Sequence, residues 1–304
     1  MSTTYFAPAK LNLFLHVTGR RDDGYHLLES VFQLIDFGDT LTIESRADGV
    51  IRRVNLVADV PAEHDLAVRA AQLLQQASGT RQGADLMLEK RIPLGGGLGG
   101  GSSDAATVLL ALNRLWHLDY SRQQLMDLAL TLGADVPFFV FGQTAFAKGV
   151  GERLEPVDVP PLWYVVAQPQ VSVPTAAMFQ SPELTRNAKS VKIADFSAGA
   201  PGALNLFPEP AFRNDLQPVA EAEYPEIGRL TEWLRGACAQ NAAAGSAAAA
   251  ISPRMTGSGA CVFAGFGTEA AARTVFAQRP SGAGAGGFVA RGLRRHPMHD
   301  FAGQ

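Results

Sequence analysis

The 304-residue sequence has little cysteine, little charge and no long basic or apolar run. Its two cysteines, Cys238 and Cys261, are too few for a disulfide framework or a cysteine metal cluster. With 26 Lys and Arg against 29 Asp and Glu, the formal net charge is −3, and no basic segment offers a footprint for nucleic acid. No apolar run approaches the ~18 residues of a membrane-spanning helix, and no signal-peptide pattern is present. We therefore expect a cytoplasmic protein that binds neither nucleic acid nor membrane.

Residues 5–17 alternate between two sets of side chains, which predicts an extended strand. Lys10 and Asn12 fall on one side of this strand, and Leu11 and Leu13 fall on the other. The strand therefore brings a cation and an amide to the same surface.

The remaining patterns predict a mixed α+β protein with two domains. A proline-rich stretch at 155–161 is the best candidate boundary, so we assign one domain to residues 1–157 and a second to residues 158–304. Alanine dominates residues 237–250 without an apolar period, which we interpret as a flexible insertion. The predicted elements after the first strand are strands 27–35 and 41–43, helix 66–76, strand 85–90, helices 103–116 and 121–132, strands 136–141 and 144–147, strand 162–168, helix 175–179, a Ser/Ala/Pro/Gly loop, helix 219–235, strand 260–266, helix 268–278 and strand 287–291.

The most unusual segment is a glycine run between a predicted strand and a predicted helix, where six of the seven residues at 95–101 are glycine. Glycine costs backbone entropy, so such a run needs a physical reason. Bare backbone lets several N–H groups approach an anion, and the N-terminus of the following helix adds partial positive charge. A hinge is the alternative, but a linker is rarely followed at once by a well-patterned helix. We predict a phosphate-binding loop formed by Pro93, Leu94, Gly95, Gly96, Gly97, Leu98, Gly99, Gly100, Gly101, Ser102 and Ser103.

This loop departs from the commonest phosphate-binding motifs. The phosphate-loop NTPase pattern needs lysine after its last glycine, where this chain has Ser102. Gly95, Gly97 and Gly100 satisfy the G-x-G-x-x-G spacing, but no acidic residue at the end of a second strand completes a dinucleotide-binding motif. The His-Arg-Asp and Asp-Phe-Gly partners of a protein kinase are also missing from the sequence. The residues alone indicate a protein that binds nucleotide phosphates.

Several blocks of the sequence together resemble the GHMP small-molecule kinases. The glycine run is similar to their P-x-G-x-G-L-G-x-S-S loop. The other blocks are Pro-Ala-Lys-Leu-Asn-Leu at 8–13, Asp-Gly-Tyr-His at 23–26, Gly-Ala-Asp-Val-Pro at 133–137 and Arg-Met-Thr-Gly-Ser-Gly-Ala-Cys at 254–261. The resemblance spans about residues 7–266, with one departure at Asp65, where the family usually has asparagine. It implies a two-domain α+β GHMP kinase fold, in which a ribosomal-protein-S5-domain-2-like N-terminal domain and a ferredoxin-like C-terminal domain enclose the active site in a cleft.

The resemblance also implies an activity, the transfer of a phosphoryl group from ATP to an alcohol. Asp135 is implied as the base for the acceptor hydroxyl. Lys10 beside it would polarise that hydroxyl and stabilise the transferred group, and Asn12 would bond the acceptor. The local alternatives are a helix cap for Asp135 and a solvated strand position for Lys10. Lys90, just before the loop, is placed to reach the nucleotide. No carboxylate cluster has the spacing of a metal site, so we expect Mg²⁺ to arrive with ATP.

The Asp-Gly-Tyr-His block implies the class of acceptor. Tyr25, by stacking, and His26, by hydrogen bonds to the base edge, would hold a cytidine. The acceptor would then carry a cytidine diphosphate group, and phosphorylation of its 2-hydroxyl would belong to the non-mevalonate route to isoprenoid precursors. Thr175 and Phe179 would complete this pocket, the alternative being a short helix that packs its aromatic ring into the core.

The block at 254–261 implies a loop that closes the cleft. Gly257, Ser258 and Gly259 would approach the substrate and phosphates from the second domain, although a tight turn explains them locally. We expect a monomer or a weak homodimer.

Two other functions stay open. A GHMP kinase for another alcohol, such as mevalonate, homoserine or a sugar, would have no base to stack on Tyr25. A non-catalytic nucleotide- or metabolite-sensing protein of the same fold would not need both Lys10 and Asp135.

Overall fold

Strands and helices alternate along the chain in a computed structural model, which describes residues 2–57, 60–192, 206–245, 248–280 and 285–303. Within these ranges, no helix combines the length and the hydropathy needed to cross a membrane. The strands are β1 (Ser2–Arg20), β2 (His26–Arg46), β3 (Ile51–Arg53), β4 (Gly83–Glu89), β5 (Ala145–Lys148), β6 (Arg153–Pro156), β7 (Trp163–Pro169), β8 (Ala249–Met255), β9 (Val262–Phe266) and β10 (Ala285–Leu293). The α-helices are α1 (Leu66–Ser78), α2 (Gly100–Leu115), α3 (Arg122–Leu130), α4 (Val136–Phe141), α5 (Thr175–Gln180), α6 (Gln217–Glu223), α7 (Pro225–Ala243) and α8 (Glu269–Ala277).

Strand β2 connects the two halves of the molecule. It pairs antiparallel with β1 along a long hairpin, from Ser2 opposite Glu44 to Arg20 opposite His26. It also pairs with β4, β5 and β10. The sheet has the order β3–β4–β2–β10–β7–β9–β8, with β1 and β5 also attached to β2. From residue 7 to residue 17, β1 is buried on both faces, so the polar side chains that it carries are enclosed by the protein.

The second half of the chain has the topology of a ferredoxin-like domain. Its four strands lie in the order β10–β7–β9–β8, and every neighbouring pair is antiparallel. In chain order this is 4-1-3-2, with helices between the first and second strands and between the third and fourth. In the first half, α1, α2 and α4 pack against the β1–β2–β4 part of the sheet around Leu74, Leu109 and Phe138. The predicted fold class is confirmed.

The two halves share buried apolar surface. Phe14 of β1, Phe146 of β5, Tyr164 of β7 and Phe263 of β9 belong to one core cluster. This cluster spans the first and second halves of the sheet, so their packing is continuous. The domain boundary after residue 157 stays a prediction.

The segment predicted as a strand at 136–141 is the helix α4, so that prediction is wrong. A short apolar run does not distinguish a buried strand from a buried helix. The residues at the two ends of the segment favour a helix. Pro137 lies in the first turn, where its missing N–H costs nothing, and Gly142 ends the helix at φ +72°. Phe138, Phe139 and Val140 are all buried, which is why no period is visible.

The C-terminal helices also differ from the prediction. The helix predicted at 219–235 is two helices, α6 and α7, which meet at Tyr224 before Pro225. The prediction of a flexible insertion at 237–250 is wrong at both ends of that segment, because α7 continues to Ala243 and β8 begins at Ala249. Alanine is the strongest helix former, so a run of it favours helix without an apolar stripe. Residues 246–247 of that segment and 193–205 of the predicted loop lie outside the described residues.

Asp65, the departure from the family pattern, has a structural role at the start of α1. Its Oδ1 accepts a hydrogen bond from the backbone N–H of Ala67 at 2.9 Å, which makes it the N-cap. Its Oδ2 lies 2.6 Å from Nη1 of Arg53, and both side chains are buried. Arg53 also donates to the carbonyls of Asn55 and Val60. The carboxylate therefore satisfies both a helix end and an enclosed cation.

We expect Asp65→Ala to lower the free energy of unfolding by about 3–5 kcal/mol, because it removes the cap and leaves Arg53 buried without its counter-ion. Asp65→Asn keeps the capping oxygen and should lose less. Urea denaturation measures both. The control is Glu269→Gln, which breaks an exposed ion pair with Arg273 and should cost less than about 1 kcal/mol. A cost for Asp65→Ala as small as that of the control would contradict the role of the pair.

Candidate active site

A cavity of about 850 Å³ lies between the two halves of the sheet. Every site residue predicted from the sequence lines it except Ser103. The predicted residues that it brings together are Lys10, Asn12, Tyr25, His26, Lys90, Pro93, Leu94, Gly95, Gly96, Gly97, Leu98, Gly99, Gly100, Gly101, Ser102, Asp135, Thr175, Phe179, Gly257, Ser258 and Gly259.

The glycine run forms a loop that ends at the N-terminus of α2. Gly95, Gly97 and Gly99 have φ values of +65°, +75° and +73°, a region that favours glycine. Gly99 is the N-cap residue, and no side chain caps this helix. The N-terminal N–H groups and the positive end of the helix dipole are therefore available to an anion in the cavity.

The loop is held by backbone contacts from both halves of the chain. The N–H groups of Ala260 and Cys261 donate to the carbonyls of Gly95 and Gly96 at 3.1 and 3.2 Å, and the N–H of Lys10 donates to Leu98 at 3.0 Å. A Cβ atom on Gly97 would overlap the carbonyl oxygen of Thr256. The two glycine-rich segments thus fit together only because neither carries a side chain at the contact.

Two predicted nucleotide-binding residues, Ser103 and Lys90, have their polar groups bonded to other parts of the protein. Ser103 is fully buried, and its Oγ donates to the carbonyl of Pro8 at 2.7 Å, so it anchors α2 to β1 instead of offering a hydroxyl to a ligand. Nζ of Lys90 lies 2.5 Å from Asp39 and 2.7 Å from Asp104. Burial raises the pKa of Asp104 to about 8, against the attraction of Lys90. Lys90 lines the cavity, but its ammonium group is bound by the carboxylates of Asp39 and Asp104.

Lys10 and Asp135 form an ion pair in the wall of the cavity. Nζ of Lys10 lies 3.5 Å from Oδ2 of Asp135, with the lysine buried and the carboxylate partly exposed. Asp135 occupies the N-cap position of α4, yet its side chain makes no capping hydrogen bond. The helix-cap alternative therefore does not account for this residue, and the solvated-strand alternative does not account for a buried Lys10.

Asn12 is oriented by a residue that the sequence patterns did not single out. Its Oδ1 accepts a hydrogen bond from Nζ of Lys10, which confirms that the two side chains share a face of β1. Its Nδ2 donates to Oγ of Ser30 at 2.9 Å, and that hydroxyl donates to the carbonyl of Phe14 at 2.5 Å. Because the Ser30 proton is used on the carbonyl, the hydroxyl accepts from the amide. Because the amide nitrogen of Asn12 is bound to Ser30, its oxygen is directed toward Lys10.

An aromatic pair lies at the opposite end of the cavity. The rings of His26 and Phe179 are stacked, with centroids 5.1 Å apart and planes 28° apart. In α5 the core position belongs to the neighbouring Met178, which is fully buried. Phe179 is half-buried and packs against the same core cluster as Met178, so it combines a core contact with a surface in the cavity. Tyr25, 62% exposed, lies at the rim.

Arg186, which follows α5, was missed by the sequence analysis. Its Nε donates to Nε2 of His26 at 3.0 Å. It lies in a segment without periodicity or a motif, so no signal in the sequence pointed to it.

The loop at 257–259 is fixed by two further contacts. Oγ of Ser258 lies 2.7 Å from Oγ1 of Thr175, which joins the loop to α5. Nδ2 of Asn214 donates to the carbonyl of Gly257 at 2.8 Å and to that of Met255 at 2.9 Å. The loop is thus more than a tight turn, because it connects the glycine run to the aromatic end of the cavity.

The chain is similar to known kinases over almost its whole length. Residues 65–143 match the family model described as GHMP kinases N terminal domain. A 4-diphosphocytidyl-2-C-methyl-D-erythritol kinase from Thiobacillus denitrificans is 57% identical over 99% of both chains. A second, from Nitrosospira multiformis, is 56% identical over 98% of this chain and 94% of its own length.

Solved structures agree with the fold. The crystal structure of a 4-(cytidine 5'-diphospho)-2C-methyl-D-erythritol kinase superposes with a TM-score of 0.75 at 35% identity, covering 96% of this chain and 100% of the other. A homoserine kinase from Cytophaga hutchinsonii has a TM-score of 0.70 at 18% identity, over 97% of this chain and 95% of its own, and supports the fold alone.

We expect Gly97→Ala to weaken ATP binding at least about tenfold, because alanine is strained at φ +75° and its Cβ overlaps the carbonyl of Thr256. Calorimetric titration with ATP measures the change. The control is Gly236→Ala in α7, where a new Cβ has nothing within 4 Å, so ATP affinity should not change. Wild-type affinity in Gly97→Ala would refute the close fit of the two loops.

Proposed function

The chain belongs to the 4-diphosphocytidyl-2-C-methyl-D-erythritol kinases of the GHMP kinase family, and we propose that it phosphorylates the 2-hydroxyl of that compound with ATP, in the non-mevalonate route to isoprenoid precursors. The products are the 2-phosphate and ADP. One observation carries the proposal for this chain: the Lys10–Asp135 pair lies in the same cavity as an uncapped helix N-terminus and a His–Phe aromatic pair. The helix N-terminus suits the phosphates of a nucleoside triphosphate, the Lys10–Asp135 pair suits the reacting hydroxyl, and the aromatic pair suits a pyrimidine base.

The ATP phosphates bind the glycine run and the start of α2. The N–H groups there supply hydrogen bonds without a basic patch. Leu66, Ile92 and Leu94 line the same cavity and offer apolar surface to the adenine ring. The terminal phosphate is thereby directed toward Lys10 and Asp135.

In the transfer step, Asp135 accepts the proton of the acceptor hydroxyl as its oxygen bonds to the terminal phosphorus. The bond from that phosphorus to the β–γ bridging oxygen breaks, and ADP leaves with the electron pair. Lys10 stabilises the charge that develops on the transferred group, and Asn12 holds the ammonium in place. Tyr25, His26, Thr175 and Phe179 hold the cytidine end of the acceptor.

Magnesium fits this site as part of the nucleotide. Within the described ranges, no group of three or more His, Cys, Asp or Glu side chains could hold a metal ion. The Asp135 carboxylate and the Ser102 hydroxyl line the cavity and are oxygen donors of the kind that Mg²⁺ prefers. When bound with ATP, the ion would neutralise phosphate charge.

The proposed function is tested by an ADP-release assay with purified protein and four acceptors. We expect turnover with 4-diphosphocytidyl-2-C-methyl-D-erythritol and none with mevalonate, homoserine or galactose, because only the first carries a base for the aromatic end of the cavity. Activity toward one of the other three alone would assign a different GHMP kinase. Inactivity toward all four would overturn the enzyme assignment.

We expect Asp135→Asn to lower kcat at least about 100-fold, because the amide cannot accept the hydroxyl proton. ATP affinity should stay near that of the wild type, whereas thermal stability should fall modestly, because the buried Lys10 loses its counter-ion although no helix cap is lost. Steady-state kinetics and ATP titration separate these effects. The control is Asp127→Asn, the same change on the exposed face of α3. A kcat in Asp135→Asn equal to that of the control would remove the base from the mechanism.

A further inference from the structure

The guanidinium of Arg186 connects the aromatic end of the cavity to the segment after α5. Besides its bond to His26, it donates through Nη2 to the carbonyls of Phe179 and Ser181 at 2.9 and 2.8 Å, and through Nη1 to the carbonyl of Leu184 at 3.0 Å. Three carbonyls thus hold the planar group in one orientation, with Nε directed at the imidazole. The guanidinium is a fixed part of the wall behind His26.

This contact selects one form of the His26 ring. Arginine has only donors, so Nε2 of His26 must accept, and the proton of the neutral imidazole then resides on Nδ1. Burial, and the positive charges of Arg186 and Arg20, lower the pKa of His26, which favours the neutral ring. The ring lines the cavity, and its remaining polar atom is the Nδ1–H donor.

We propose that Arg186 determines which pyrimidine base the cavity accepts, by holding His26 in the form that offers an Nδ1–H donor. Both pyrimidines carry an acceptor at O2, and they differ at N3, which is an acceptor in cytosine, so a donor directed at N3 pairs with cytosine. Uracil carries a proton on N3 and would place a donor against a donor, which leaves polar groups unpaired. The inference rests on the proposed function in one respect, that a pyrimidine base occupies this end of the cavity.

A purely structural role for Arg186 makes a different prediction. One of the four hydrogen bonds joins β2 to the segment after α5, and the other three order residues 179–186 themselves, so their loss alone would weaken binding of any nucleotide there. Cytidine and uridine ligands would then lose affinity by the same factor. A role through His26 instead changes the ratio of the two affinities.

The binding test uses CDP and UDP as probes in calorimetric titrations of the full chain. We expect the wild type to prefer CDP by roughly tenfold or more, and Arg186→Met to lose most of this preference. Arg186→Lys keeps a donor for Nε2 and should retain it. The control is Arg20→Met, which removes a second positive charge near the ring without touching it, so both affinities should change alike.

The outcomes separate this inference from the proposed function. Equal binding of CDP and UDP by the wild type, or an unchanged ratio in Arg186→Met, would overturn the role of Arg186 and leave the kinase assignment intact. Binding of neither nucleotide would overturn both the inference and the assignment of the pocket.

A spectroscopic test needs no ligand. In protein labelled with ¹⁵N-histidine, the His26 signals, assigned with His26→Gln, should report Nδ1–H in the wild type and a shift toward the Nε2–H form in Arg186→Met. An Nε2–H ring in the wild type would refute the mechanism. In a His26→Gln background, the Arg186→Met change should alter the CDP to UDP ratio less than about twofold.

Discussion

The site depends on a main-chain contact between the glycine run and the loop at 257–261, in which Gly97 approaches the carbonyl of Thr256 too closely for a Cβ atom. The loop at 257–261 and the glycine run are joined by the bonds from Ala260 and Cys261, and β1 joins the same run through Lys10. Because each contact is made by main-chain groups, its geometry varies little with rotamer changes in the surrounding side chains. The loop that would hold the phosphates and the strand that carries the cation are therefore positioned as one unit. The same contact connects the N-terminal and C-terminal halves across the cavity.

The charge distribution around this unit explains how a protein with a net charge of −3 can bind an anionic nucleotide. Two lysines near the glycine run are already paired: Lys10 with Asp135, and Lys90 with Asp39 and Asp104. Attraction for phosphate then comes from N–H groups and a helix end, which act over a few ångströms. Recognition by such groups requires close approach, which is what the glycines permit. Long-range attraction by a basic patch is not needed.

The sequence predicted well those parts of the site that are formed by neighbouring residues of the chain. The glycine run, the Lys10–Asn12 face and the helix after the loop follow from spacing, since each depends on neighbours in the chain. The misreading of α4 arose because burial on all sides removes the period that distinguishes a helix from a strand. The sequence predicted Ser103 as a ligand-binding residue because a hydroxyl after a glycine run can either cap a helix or bind a ligand. The fold shows that it instead donates to the carbonyl of Pro8, which is distant in sequence. Ser30 and Arg186 act through partners distant in sequence, so no local pattern reports them.

Three departures from the rules of local structure lie at the cavity. Asp135 holds a cap position without capping, α2 begins without a side-chain cap, and Lys10 is buried on a strand. By contrast, Asp65 caps α1, and Ser121 forms a capping box with Gln124 at the start of α3. Leaving the start of α2 uncapped forgoes about 0.5–2 kcal/mol, and the uncovered N–H groups are those that a bound anion can satisfy. Local stability is given up at the positions where a ligand can restore it, and this is the physical signature of the site.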